Sequence, residues 1–319
     1  MEERLERVCK AFIENKDIFK QVFNWESNFL SIAGSSLYTM KNMKPSVERL
    51  KEVDEILKNK ESIFSGFRDN VKVVVISHMA QSEDPEAYLD GVKNVYHRLL
   101  GNKMFSSSYH ILAAIDIYDY AKDIDKTIER VSKIYALEKQ EHPWLTKGED
   151  LPYVAALALA DISIEEAFVE TEECFEMLKS EFPIDPLQSL AMVLALYEGN
   201  SQSKCQRVLD LYIALKENGI SYGKHDSLAS LGALAMLDMD VEDIVEEVKK
   251  ADVFLGVQKG FGSWGMGAKN RWMFAALLVI FAYDPDPERM HMAVLNSIIM
   301  TKIAEDNATA TAINMSLMR

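Results

Sequence analysis

Val92-Lys93-Asn94-Val95-Tyr96-His97-Arg98-Leu99 carries apolar side chains at spacings of three and four, the stripe of a helix with one buried face. The same stripe returns as Val131, Ile134 and Tyr135, as Cys174, Phe175 and Leu178, and as Val208, Leu211, Tyr212 and Leu215. One column through these segments runs Leu57, Tyr96, Tyr135, Phe175, Tyr212, Asp252, Ile298, at intervals of 39, 39, 40, 37, 40 and 46 residues. A period of that length is the mark of stacked helical hairpins. The opposite faces carry Glu129, Arg130 and Lys133, then Glu172, Glu173 and Glu176, then Glu246, Glu247 and Lys250. Such charge stays in water, so these helices form an outer layer.

The segments between them are apolar nearly all round: 152–160, 187–196, 227–237 and 272–283. A helix without a polar face is buried on every side, which makes these the inner layer. Paired small residues (Ala113-Ala114, Ala155-Ala156, Ala275-Ala276) allow close backbone approach. The apolar stretches run for about a dozen residues, against the roughly 20 a membrane span needs. Asp84-Pro85-Glu86, 161–163, Asn200-Ser201, Asp240 and 284–288 stand at the starts of outer helices, where acceptors cap free N–H groups and Pro fits the first turn. The β-branched run 71–76 reads as inner helix from its place in the repeat.

The chain has 319 residues, 48% of them hydrophobic, and only 8 Pro, which suits one domain over 1–319 with no linker. Residues 1–25 are expected to form a helix capping the first hairpin, and 26–319 the seven hairpins. A net charge of -15 with no basic stripe argues against nucleic acid. Cys9, Cys174 and Cys205 have no metal-ligand spacing and suit a reducing compartment. Without a signal peptide or lipidation motif, a cytoplasmic protein is expected.

Chemistry has few places to sit. Residues 256–271 hold five glycines, and Gly260, Gly262 and Gly265 satisfy GxGxxG. No strand precedes them, so a dinucleotide fingerprint is not supported. Two readings stay open: an anion site made by Gly260 and Gly262 with Lys269 and Arg271 of the following helix, or a connection whose Phe261 and Trp264 plug the core. Phe254, Leu255, Gln258, Gly262 and Trp264 also resemble the QW repeat of terpenoid cyclases over about a dozen residues. The acidic motifs of those enzymes are missing from the inner helices, so the likeness favours topology alone.

Polar residues on inner helices need partners. His78, His110, Asp116, Tyr118, Asp119 and Tyr120 are such residues, and Asp116 and Asp119 share a face. They are candidates for ligand contact, with His110, Asp116 and Asp119 foremost. His142-Pro143 reads as a helix stop. No nucleophile elbow, zinc motif or phosphate loop is present. No metal or cofactor is implied.

Phe23-Asn24-Trp25-Glu26, the link 63–68, Glu141-His142-Pro143-Trp144-Leu145-Thr146 and Gln258-Lys259-Gly260-Phe261-Gly262 resemble an uncharacterised family of Gram-positive bacteria, domain of unknown function four thousand and three. The resemblance implies a helical, cytoplasmic, bacterial protein and no particular activity. The fold expected is all-α, an α/α superhelix of about seven hairpins, strongly curved because its inner helices are apolar on all sides, with closure into an α/α toroid left open by the sequence. The function expected is non-enzymatic: a binding or scaffold protein holding a protein or peptide partner in the concave surface. Its rival is a small-molecule binder or enzyme with an anionic ligand in a central cavity.

Overall fold

The computed structural model describes residues 2–24, 28–63, 65–69, 71–101, 107–222, 227–262, 267–284 and 299. Among them the chain is all-α, with fourteen α-helices and no strand. These are α1 (Glu3–Val22), α2 (Asn28–Met40), α3 (Val47–Lys60), α4 (Lys72–Gln81), α5 (Pro85–Leu100), α6 (Ser108–Tyr120), α7 (Ile124–Glu141), α8 (Leu151–Leu159), α9 (Ile164–Leu178), α10 (Ile184–Leu194), α11 (Ser201–Glu217), α12 (Leu228–Ala235), α13 (Val241–Gly256) and α14 (Gly267–Tyr283). No helix of the described residues is long and apolar enough to cross a membrane. The Ile298 end of the column lies outside the described residues.

Local chemistry explains where the odd-numbered helices begin. Ser46, Asp84, Asp123, Ser163 and Asn200 each accept a backbone N–H in the first turn, and Ser163 with Glu166 forms a capping box. Each such cap is worth about 1 kcal/mol. Asp240 occupies the N-cap of α13 without a side-chain cap bond; Glu242 and Asp243 in the first turn supply the negative charge the helix dipole favours there. Residues 285–288 lie outside the described residues.

The two layers differ in burial. In α8 every residue from Leu151 to Ala158 is buried, whereas α3 buries Leu50, Val53 and Leu57 alone. Along the outer layer α3 packs on α5, α5 on α7, α7 on α9, α9 on α11 and α11 on α13. Helix α1 then packs on both α13 and α3, so the contacts of the odd-numbered helices return to their start. On its inner side α1 packs on α2 and α14. It therefore touches α13 and α14 as well as α2 and α3.

The side chains at that joint are large and specific. Phe12 is fully buried with its ring 5.9 Å from Phe261 and 6.2 Å from Phe274. Lys16 Nζ donates to Lys259 O at 3.0 Å, and the Tyr283 hydroxyl lies 3.0 Å from both Glu2 Oε2 and Glu247 Oε2. Toward α2, Ser35 Oγ donates to the Phe12 carbonyl at 2.5 Å. A Cβ on Gly34 would lie 2.3 Å from the Phe19 ring, so only glycine admits this approach.

A repeated clamp holds the even-numbered helices by their C-terminal carbonyls, which have no partner within the helix. Arg130 of α7 donates to Ala158 O at 2.9 Å, Ala160 O at 3.3 Å and Ile162 O at 2.6 Å at the end of α8. Arg207 of α11 does the same to Ala235, Leu237 and Met239 at the end of α12. Arg49 of α3 reaches Ala80 O, Ser82 O and Glu83 O after α4. Lys204 serves α10 through Leu194 O and Tyr197 O at 2.7 and 2.8 Å. Replacing Arg207 by Met keeps the aliphatic stem and removes these donors, and is expected to cost about 2 kcal/mol. A urea unfolding curve with an unchanged midpoint would show that water serves the carbonyls equally well.

Candidate functional site

Arg130 and Arg207 both stand five residues before the repeat column, at the seventh position of their helices. The residue at that point of α5 is Gly91. Its missing side chain is filled by Tyr118 of α6, whose ring would sit 2.3 Å from a Cβ there. Among the described residues no arginine reaches the C-terminal carbonyls of α6. Helices α4 and α6 each pack on α5 rather than along each other. A cleft of about 460 Å³ opens at this break, where α2, α4 and α6 all end.

Three local structures aim side chains into it. Helix α2 ends in a Schellman-type turn: Met43 N donates to Tyr38 O and Asn42 N to Thr39 O, with Asn42 at φ 51°. Asn15 of α1 clamps the turn by donating to Met43 O at 3.0 Å and to Thr39 Oγ1 at 3.1 Å. Lys41 is thereby fixed in the cleft wall. The end of α4 contributes His78 and Gln81, and the end of α6 contributes Tyr118, Asp119 and Tyr120.

Asp119 organises the polar groups. His78 Nδ1 lies 2.8 Å from Asp119 Oδ2, and Tyr88 donates its hydroxyl to Asp119 Oδ1 at 2.8 Å. Burial works to raise the Asp119 carboxyl, but the His78 bond, the electrostatic pull of the His78 ring and of the Lys41 ammonium, and the Tyr88 bond outweigh it, leaving it below its ordinary value. Asp119 is thus an acceptor, and the ring nitrogen facing it carries the proton. The other nitrogen, His78 Nε2, is buried without a hydrogen-bond partner among the described residues. So are both amide atoms of Gln81 and the Tyr120 hydroxyl. Burial, then the charges of Asp116 and Asp119, push the Tyr120 phenol far up, so it remains a donor. Burial pushes the Lys41 ammonium down against the opposing pull of Asp119 and Asp116. Lys41 has no hydrogen-bond or ion-pair partner among the described residues.

The sequence candidates separate in space. Asp119 is central to the cleft, and Asp116, fully buried one turn earlier, acts on it through its field. His110 stands nine residues before Asp119, about 13 Å along the helix, with Nδ1 2.9 Å from Ser107 Oγ. The glycine segment lies at the other end of the inner layer, before α14. There Arg271 grips Asp252 through Nε at 2.6 Å and Nη2 at 3.0 Å, and donates Nη1 to Phe261 O at 3.3 Å. Gly260 adopts φ 95°, which favours glycine, and Phe261 is fully buried. Gly262 has open space about its Cα. Lys269 falls in the first turn of α14, its side chain outside the described residues, as are Trp264 and Gly265. Lys41, Gln81 and Tyr88 are not among the sequence candidates; Lys41 and Gln81 carry the signal of a polar residue at the end of an inner helix, and Tyr88, in the first turn of α5, carries none.

A second buried polar cluster joins α7 to α10. Gln188 Nε2 donates to Glu138 Oε2 at 3.0 Å and to Thr146 Oγ1 at 2.9 Å, and Thr146 Oγ1 donates to Glu138 O at 3.0 Å. Burial raises the Glu138 carboxyl to about 7 despite the Gln188 bond. Asp150, buried nearby in sequence, is raised to about 7 by the same cause. Among the described residues no three His, Cys, Asp or Glu side chains converge as metal ligands would.

A family described as "Protein of unknown function (DUF4003)" matches residues 16–308 of the chain. No curated protein and no solved structure matches it.

Proposed function

The chain belongs to the DUF4003 family of proteins of unknown function, and since that membership carries no activity, we propose one from the geometry: a binding protein that seats a small polar ligand in the cleft where α2, α4 and α6 end. One observation carries this reading. Of the seven buried side-chain polar atoms without a hydrogen-bond partner among the described residues, four line this single cleft. Folded proteins leave few such atoms, and each costs about 1–3 kcal/mol. Their concentration beside an unpaired lysine is what a preformed recognition site requires, and the cleft volume falls within the range of small-molecule sites. The circuit of contacts through α1 supports a closed α/α toroid, an arrangement with no long open groove for a peptide.

Tyr120→Phe and Gln81→Leu test the reading without knowledge of the ligand. If the hydroxyl and the amide serve a ligand, each variant unfolds at an equal or higher free energy, with a gain of up to about 1 kcal/mol, because an unsatisfied polar group has been removed. A loss of more than about 1 kcal/mol in either urea curve would mean the groups have partners within the protein, and the seat would be elsewhere.

A further inference from the structure

The cleft offers mainly donors. Lys41 brings an ammonium, Tyr120 a hydroxyl held protonated, and Gln81 an amide N–H₂, none of them engaged among the described residues. An occupant must therefore supply acceptor oxygens, and a carboxylate meets the unpaired charge of Lys41. A dianion fits poorly. Helices α2, α4 and α6 all direct their C-terminal, negative ends here, and Asp116 and Asp119 add two carboxyl groups. One negative charge can be matched by Lys41; a second finds only repulsion. The acceptors point to the remainder of the ligand. His78 Nε2 has its partner nitrogen committed to Asp119, and Gln81 Oε1 is equally orphaned. Both ask for a hydroxyl, which can donate to either.

Resting on the reading of the cleft as a ligand seat, we infer that the ligand is a small hydroxy acid, its carboxylate held by Lys41 and Tyr120 and its hydroxyl by His78 and Gln81. Lys41 is then the residue that selects for the acid, and His78, oriented by Asp119, the one that selects for the hydroxyl.

The test is a brief exposure of the whole protein to an N-hydroxysuccinimide ester of acetate, with acetylation at Lys41 measured by peptide mass spectrometry. The probes are lactate, propionate, lactamide and inorganic phosphate, each at millimolar concentration. Lactate is expected to slow Lys41 acetylation at least about ten-fold at saturation while leaving other lysines unchanged, since burying one charge-paired amine removes it from solvent. Propionate should shield at higher concentration only, and lactamide and phosphate not at all. Lactate should also raise the melting temperature of the native chain and not that of Lys41→Met. Equal shielding by propionate overturns the hydroxyl assignment, and equal shielding by lactamide overturns the carboxylate. Shielding by phosphate overturns the single charge. No shielding by any probe, with Tyr120→Phe and Gln81→Leu as stable as the parent, overturns the hydroxy acid and leaves the seat standing; loss of stability in those two variants removes the seat itself.

Discussion

Phe12→Ala is expected to lower the free energy of unfolding by about 3–5 kcal/mol, the range for truncating a fully buried aromatic ring. The ring lies where α1 meets α14 and the segment before it. Its aromatic neighbours are Phe261, in the segment before α14, and Phe274 within it. The Phe12 carbonyl meanwhile accepts from Ser35 of α2. Truncation leaves a cavity lined by both ends of the array, and little can collapse into it without moving α1 off one neighbour. In a linear array each repeat feels only its neighbours, so the loss there would be local. With contacts that return through α1, opening the joint also uncouples α2 from α14. A double cycle with Phe274→Ala should show a coupling of about 0.5–3 kcal/mol, as for side chains in direct contact. A loss below about 1 kcal/mol in urea would instead mark α1 as a dispensable cover.

Glu138→Gln is expected to stabilise the protein at pH 8 by about 3 kcal/mol and to change little at pH 4.5, the free energy of holding a buried carboxyl near 7 instead of 4.5. The folded carboxyl titrates near 7, above its ordinary value of 4.5, because burial disfavours the charge. A raised acid binds its proton more tightly in the folded state. Its penalty is therefore absent below the unfolded value and grows as pH rises from 4.5, becoming complete above 7. The glutamine copies the neutral acid: its oxygen can accept from Gln188 Nε2, and its N–H₂ takes the place of Glu138 Oε1, which has no hydrogen-bond partner among the described residues. Asp150, also raised to about 7, keeps part of the slope in the variant. Unfolding curves across pH 4.5 to 8 decide the matter. Parallel curves for parent and variant would show Glu138 charged in the fold, with a partner that holds it so.

Capping and amphipathic periodicity are local, and that is why so much of the fold was legible in the sequence. The stripe around Tyr96 needs only 3.6 residues per turn to declare a buried face, and Asp84 caps residues two and three places away. The all-α class and the alternation of half-buried with wholly buried helices follow from such short-range signals, whereas the family likeness rests on particular stretches such as 141–146 and 258–262. Asp119, His78, Tyr118 and Tyr120 were visible as polar residues on apolar helices for the same reason.

What the sequence by itself determined is thus the kind of helix each segment makes and which face it hides. Only the tertiary structure decided which polar residues meet. Lys41 and Asp119 are far apart in the chain, and nothing local distinguishes Lys41 from the many lysines that point to water. Arg271 reads the same whether it awaits an anion or grips Asp252, a choice made by the packing of α13 against α14. Gly91 looks like a weak point in a helix until Tyr118 is seen in its place. The break in the arginine clamps, and the cleft it leaves, exist only once hairpins some 40 residues apart lie side by side, because a site is a property of distances in space and the sequence records only distances along the chain.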